Sequence, residues 1–294
     1  MRAEIEEAVQ LMQRGDDASV EQALALLQNT VFSFSMRVCG QREDAEDTMQ
    51  EVLLKSVPQL PKFQSPKALL VWLYKVAKNR CLMTRRKSKF APAQELSLDQ
   101  LMPDRHELER LTADGRIDPE AFAIRSEEAS RLRDAVQKLP PQYRIVLVLR
   151  DMEGLTDEEV AEITGVRSGT VRVRLHHARL FVRKELMRMW MPRGEKRAPA
   201  KTQSGAQLRP ARCKAMFAEL SDYLDEQLDE SLCEEIERHM SDCGPCQAFL
   251  ATLEATIEQL HKPAADRALP ENTSKLRNQL TQDYRRVTKV LGSS

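Results

Sequence analysis

Four residues in the last third of the chain have types and spacing that suit metal chemistry: Cys213, His239, Cys243 and Cys246. Twenty-five residues separate Cys213 from His239, three separate His239 from Cys243, and two separate Cys243 from Cys246. The His-x3-Cys spacing puts two ligands one helical turn apart. Cys243-Gly244-Pro245-Cys246 is a tight knuckle that can turn two thiolates toward one ion. Three sulfurs and one imidazole make a closed tetrahedral set suited to Zn2+, structural or redox-sensing, with no position left for a reactive water. The chain has six cysteines, and four of them fall within 34 positions, a clustering that favours metal or redox chemistry over structural disulfides. Cys233 competes with Cys213 as the fourth ligand. Cys243 and Cys246 could also form a redox pair, but no strand–helix alternation surrounds them. Cys39 and Cys81 stand apart and read as small buried side chains. His261 reads as a surface residue.

A second group of residues suits phosphates and base edges. From Arg167 to Arg212 there are 13 Arg/Lys against Glu185 and Glu195, whereas from Glu219 to Asp242 there are 10 Asp/Glu against Arg238 alone. A basic segment is thus followed by an acidic one that could cover it. Within the basic segment, Val171, Leu175, Ala178 and Val182 share one helical face, and Arg172, His176, Arg179 and Arg183 share another, flanked by Arg174 and His177. Such a helix fits the major groove: Ser168, Thr170, Arg172 and Arg174 at its start face base edges, and the later cations hold phosphates.

The elements that must position these groups are helices. Thr156 is a helix N-cap with Glu159 three residues on to reach back, Gly165 permits a left-handed turn, and Ser168 caps the next helix. Helical periodicity also covers 20–38, 42–57, 67–86, 124–139 and 142–152, punctuated by prolines. In the 67–86 helix, Lys75, Lys78, Arg80, Arg85, Arg86 and Lys87 interleave with Trp72 and Tyr74. Cations with aromatics suit a separated strand, the cations holding its backbone and an aromatic pocket receiving an unstacked base. Phe63 and the 62–67 loop could help form that pocket; Trp72 reads as core and Asn79 as a polar DNA contact. Leu276, Leu280, Tyr284 and Val287 lie at helical spacing near the end and could pack on a neighbour.

The run Leu139-Pro140-Pro141-Gln142-Tyr143-Arg144, continuing through Arg150-Asp151-Met152-Glu153-Gly154-Leu155-Thr156 to Gly169-Thr170-Val171-Arg172-Val173-Arg174-Leu175, closely resembles region 4 of bacterial RNA polymerase sigma factors of the extracytoplasmic-function type. That resemblance implies a helix-turn-helix reading the −35 promoter element, with Arg167, Ser168, Thr170, Arg172, Arg174, His176 and Arg179 on DNA. Asp44-Ala45-Glu46-Asp47-Thr48-Met49-Gln50-Glu51-Val52 resembles region 2 of the same family, which implies that Asp44, Glu46, Asp47, Gln50 and Glu51 dock on core polymerase. The helix Val71–Arg80 resembles the segment that opens and reads the −10 element, implying DNA contacts from Lys75, Asn79, Arg80 and Arg86. Met83 departs from the Asp common in relatives, so the −10 preference or local packing differs. The Cys/His pattern resembles zinc-binding anti-sigma domains, and implies a module able to clamp the sigma domains from within the same chain.

The expected fold is all-α: two helical sigma domains and a small helical zinc module. The expected organisation is region 2 at 1–90, a linker at 91–124, region 4 at 125–191, a Pro/Lys-rich linker at 192–210, the zinc module at 211–250 and a helical tail at 251–294. Hydrophobic residues are 41% of the chain, aromatics 5% and charged residues 31%, consistent with soluble helices. No apolar run reaches the length of a membrane span, and the start carries no secretory signal, so the expected location is cytoplasmic. No catalytic constellation is present. The alternative function is a zinc- or redox-responsive helix-turn-helix regulator that does not act as a sigma subunit. It accounts for the helix-turn-helix and the Cys/His set, but not for the first 90 residues.

Overall fold

The computed structural model describes residues 2–63, 65–85, 95–103, 107, 129–190, 211–262, 269 and 273–291. Among the described residues every regular element is helical. The order is α1 (Arg2–Arg14), α2 (Asp17–Cys39), α3 (Arg42–Ser56), α4 (Pro66–Arg85), the short α5 (Leu98–Leu101), α6 (Ala129–Lys138), α7 (Pro141–Leu147), α8 (Asp157–Thr164), α9 (Ser168–Trp190), α10 (Ala211–Leu224), α11 (Glu230–Asp242), α12 (Gly244–His261) and α13 (Thr273–Leu291). The sequence expectation of a single helix over 142–152 is modified, because α7 gives way to a π-helical turn at Val148–Met152. The boundary expected at 250, between the zinc module and the helical tail, falls within one helix: α12 runs on to His261 and buries Phe249, Leu253, Ile257 and Leu260. Most of the 91–124 and 192–210 segments, and Arg86, lie outside the described residues.

The chain divides into two compact units. The first comprises residues 1–92, 148–168 and 264–294. Asp16 starts α2 by accepting from the Ser19 amide, and Gly40, at φ 85°, ends it in the left-handed conformation that a Cβ would oppose. Ile5, Ala8, Leu24, Leu27, Phe34, Met49, Val52, Leu53, Leu70, Leu73 and Ala77 make one core between α1, α2, α3 and α4. Helix α13 lies against α2, burying Leu280 and Tyr284, while Leu276 and Val287 of the same stripe are half-exposed. Arg285 pairs with Asp17 at 2.7 Å, and Gln28 Nε2 donates to the Thr273 carbonyl at 3.3 Å.

One reading of the sequence is corrected in this unit. Cys39 and Cys81 are buried as expected, each 2% exposed, but they are not isolated: they are joined as a disulfide, with Cα atoms 5.3 Å apart. Their separation of 42 residues carries no local signal. Only the packing of α2 beside α4 makes them neighbours.

The second unit comprises residues 93–147 and 169–263. Its buried side chains include Ala135, Val136 and Leu139, then Ile145 and Val146, then Val171, Leu175, Ala178 and Val182, then Phe217 and Leu220, and finally Phe249 and Leu253. Arg144, 2% exposed, fastens the end of α6: Nε donates to the Val136 carbonyl at 3.2 Å and Nη2 to that of Leu139 at 2.8 Å. A cation there meets the carbonyls that the helix itself leaves unsatisfied.

Candidate nucleic-acid interface and metal centre

Helix α8 begins with the capping box read from the sequence. The Glu159 amide donates to Thr156 Oγ1 at 3.3 Å, and the Thr156 amide donates to Glu159 Oε2 at 3.0 Å. Gly165, at φ 76°, then turns the chain toward α9 while its amide donates to the Ala161 carbonyl. On α9 the four apolar residues Val171, Leu175, Ala178 and Val182 are all at or below 1% exposure. Arg167 and Arg172 are exposed, and Ser168, Thr170 and Arg174 are half-exposed. The start of this helix therefore offers cations and hydroxyls to solvent.

Two other candidate DNA contacts on the same helix are placed differently. His176 and Arg179 are 6% and 0% exposed, because α10 lies over them. His176 Nδ1 is 2.8 Å from the Ser221 hydroxyl. Arg179 makes a two-pronged pair with Asp225, Nη1 to Oδ2 at 2.8 Å and Nη2 to Oδ1 at 2.9 Å. Arg183, one turn further, is also 0% exposed. Its Nε donates to Thr252 Oγ1 at 2.7 Å, its Nη1 meets Glu107 at 3.0 Å, and its guanidinium carbon stands 3.7 Å from the centre of the Phe249 ring. A planar guanidinium is suited to this stacked and forked environment in a way an ammonium is not. Burial, with His177 and Arg179 adding like charge, brings the His176 imidazole down to about 4, so it is neutral near pH 7. The sequence showed the acidic segment opposite the basic one, but not which pairs it forms.

In the first unit, α4 presents Lys75 and Asn79 to solvent, with Arg80 half-exposed and paired to Glu51 at 2.8 Å. Tyr74 and Lys78 of the same helix are buried. The Tyr74 hydroxyl donates to Glu153 Oε2 at 2.7 Å, while Arg37 donates to Oε1 of the same carboxylate at 2.6 Å. Lys78 Nζ donates to the Ile163 carbonyl at 2.8 Å, at the end of α8. Burial raises the Glu153 carboxyl above the usual range, against the pull of Arg37 and Tyr74. Burial also lowers the Lys78 ammonium. Phe63 and Trp72 are half-exposed with ring centres 5.8 Å apart, so Trp72 is less enclosed than a core residue. Met83 is 59% exposed.

On α3, Asp47 and Gln50 are exposed, and Asp44, Glu46 and Glu51 half-exposed. Glu46 holds Arg42 at 2.7 Å and Glu51 holds Lys55 at 2.6 Å. The Lys55 hydrogen bond, then the Arg80 charge, keep the Glu51 carboxyl below its ordinary value despite some burial. These residues form a solvent-facing acidic edge above the buried Ala45, Met49, Val52 and Leu53.

The four candidate ligands converge. Their donor atoms all lie within 4.8 Å of one another, with Cys213 Sγ 3.6 Å and Cys246 Sγ 3.3 Å from His239 Nε2. Ligands about 2.0–2.3 Å from a tetrahedral zinc stand roughly 3.3–3.8 Å apart, so the residues present fit that ion. Cys233 is not in the cluster. Burial, followed by the crowding thiols, pushes the Cys246 thiol well up, and burial raises Cys213 as well. A divalent cation reverses that situation, since a coordinating thiol loses its proton outright. Cys246 shares helix α12 with Phe249 and Thr252, the residues that meet Arg183.

Residues 24–90 match the Sigma-70 region 2 family, and residues 129–182 match the Sigma-70 region 4 family. The chain belongs to the sigma-70 family of RNA polymerase sigma factors. Residues 213–247 of this sigma factor match a zinc-finger family. Its relatives include the ECF RNA polymerase sigma factor SigW of Bacillus subtilis, 26% identical over 63% of this chain and 98% of that protein. The RNA polymerase sigma-H factor of Pseudomonas aeruginosa is 27% identical over 62% of this chain and 93% of its own length. The ECF sigma factor SigE of Mycolicibacterium smegmatis is 32% identical over 52% of this chain and 56% of its own. A solved complex of the sigma factor RpoE with the anti-sigma factor NepR from Bartonella quintana aligns at 21% identity and a TM-score of 0.40, over 56% of this chain and 95% of that one. The alternative of a helix-turn-helix regulator that is not a sigma subunit finds no support, since it leaves the region 2 match without a role. Among the described residues no helix is long and apolar enough to cross a membrane.

Proposed function

We propose that this sigma factor brings core RNA polymerase to two-part promoters and helps open the −10 region, and that its C-terminal module restrains it in cis. The observation that supports the first part is the ordered pair of sigma regions, each presenting a solvent-facing set of the expected chemistry. Asp44, Glu46, Asp47, Gln50 and Glu51 on α3 meet the polymerase. Lys75, Asn79 and Arg80 on α4, with Arg86 beyond it, hold the separated strand. Arg167, Ser168, Thr170, Arg172 and Arg174 read the −35 element, the arginines through base edges and phosphates. Polymerisation itself belongs to the polymerase. In vitro transcription with purified core enzyme tests this; a protein that never directs initiation at any selected promoter refutes it.

The restraint is supported by the contacts on α9. Arg179 and Arg183 supply cationic charge and His176 a polar edge that phosphates would use, and Ser221, Asp225, Thr252 and Phe249 occupy those groups instead. Cys213, His239, Cys243 and Cys246 would hold zinc. A closed four-ligand zinc site contributes folding energy to a module too small for a generous core. Oxidation of the ligand thiols, or metal exchange, would loosen the module, because a free thiolate is also a target of oxidants. Truncation after residue 192 is expected to raise initiation and DNA affinity, and equal or lower activity overturns the restraint while leaving the sigma role intact.

A further inference from the structure

The Cys39–Cys81 pair lies outside the metal cluster and outside every candidate contact to DNA or polymerase. Cys39 is the last residue of α2, immediately before the left-handed Gly40, and Cys81 lies within α4 beside Asn79 and Arg80. Both are 2% exposed, and their Cα separation of 5.3 Å falls within the range that a disulfide requires without backbone movement. A third helix completes the site. The Thr48 hydroxyl of α3, itself fully buried, is 3.7 Å from Cys39 Sγ and 3.9 Å from Cys81 Sγ. It is a polar hydrogen that can stabilise the thiolate on which disulfide exchange depends. Three helices thus bring two sulfurs and one hydroxyl to a single point in the region 2 core.

We propose that Cys39 and Cys81 are a reversible oxidation site that staples α2 to α4, with a small-molecule disulfide of the glutathione type as oxidant. A protein in a compartment where thiols are kept reduced holds such a bond only conditionally, and to that extent the conditional character rests on the proposed partnership with RNA polymerase. Cys39, at a helix end where fraying is easiest, attacks first. Its thiolate displaces one thiolate from the small disulfide and leaves a mixed disulfide on Cys39. The Cys81 thiolate then attacks the Cys39 sulfur and expels the second small thiolate. Two protein thiols are oxidised, one small disulfide is reduced to two thiols, and the two protons pass from protein to the released thiols. Because both sulfurs are enclosed, formation and reversal require local opening and are slow. Helix α4, which carries Lys75, Asn79 and Arg80, is fixed to α2 while the bond lasts.

The test uses the full-length, zinc-loaded protein equilibrated with glutathione disulfide or with a thiol reductant, followed by alkylation and peptide mass spectrometry. A linked 39–81 peptide is expected in the oxidised sample and two alkylated cysteines in the reduced one. The 42-residue loop corresponds to a Tm about 10 °C higher for the linked form, with slower hydrogen exchange in α4. Cys81→Ser is expected to trap the glutathione adduct on Cys39. Free thiols at both positions after oxidation overturn the proposal, as does a link that no reductant opens in the folded protein. A link that changes neither Tm nor exchange in α4 overturns the staple, and an adduct absent from Cys39 overturns the order of attack. None of these readouts involves polymerase, so a protein that forms the link yet never initiates refutes the proposed function alone.

Discussion

Helices α4 and α9 carry the candidate DNA contacts, and each has part of its polar face occupied by other groups of its own unit, but with different chemistry. On α4 the occupying groups are one buried carboxylate, Glu153, and one backbone carbonyl, that of Ile163. On α9 they are two acids, hydroxyls and an aromatic ring set against two sealed arginines and a neutral histidine. Under the proposed restraint, these are two ways of keeping a nucleic-acid helix quiet. One withdraws Tyr74 and Lys78 while leaving Lys75 and Asn79 exposed; the other neutralises arginine charge with a substitute for phosphate. The second depends on a separate small module, and so on whatever holds that module together.

The sharpest way to separate the two is to remove the proposed zinc. Apparent zinc binding in small modules amounts to about 10 kcal/mol, so a chelator, or Cys246→Ser, is expected to unfold α10–α12. Helical circular dichroism falls and hydrogen exchange accelerates over 213–261, while exchange in α1–α4 stays as it was. Equal acceleration in both units would mean that the two covers are not independent.

Asp225→Asn attacks the second cover alone. Arg179 is fully buried, so removing the charge of Asp225 breaks up its two-pronged ion pair at a cost of roughly 3–5 kcal/mol. DNA binding by the full chain is expected to strengthen, measured by fluorescence anisotropy at fixed salt. Wild-type affinity would show that Arg179 has no part in the restraint.

Acid is expected to act on the two covers with opposite signs. His176 has its folded pKa lowered from 6.5 to about 4, so the contact is fully stabilised above 6.5 and loses up to roughly 3 kcal/mol as pH falls toward 4. Glu153 has its folded pKa raised above 4.5, so its contribution is largest below 4.5 and is lost as pH rises through the raised value. The measurement is urea unfolding across pH 4–7 of His176→Gln and Glu153→Gln against wild type. Each variant should remove its own slope, and slopes of the same sign would contradict the assignment. The smallest effect belongs to a surface pair that neither cover uses: Arg42→Ala, which breaks the exposed bond to Glu46, should change stability by less than about 0.5 kcal/mol in the same assay.

Local chemistry was legible in the sequence. The Thr156–Glu159 box, the turn at Gly165, the apolar face of α9 and the four residues at the Cys/His cluster all follow from spacings of a few residues or from recognisable ligand types. Tertiary partnerships were not. His176 meets Ser221 45 positions away, Arg183 meets Thr252 across 69 and Glu107 across 76, and Arg37 meets Glu153 across 116. A helical wheel marks Arg179 and Arg183 as a polar face, and an acid cannot be assigned to it until the fold brings one there. The cysteine pair at 39 and 81 was hidden for the same reason.

Helix α12 joins the metal knuckle to the arginine contact without an intermediary. Cys246 is a candidate ligand and Thr252 a partner of Arg183 six positions further on, about 9 Å along the helix axis. A rod of that length has no hinge in which a displacement could dissipate. A disturbance at the sulfurs would therefore shift Phe249 and Thr252, which sit on the same helix and face the Arg183 guanidinium. If the proposed restraint holds, sensor and actuator are made together in a one-to-one ratio with every copy of the chain, so the switching threshold would depend on the chemical signal and not on how much of the protein the cell contains.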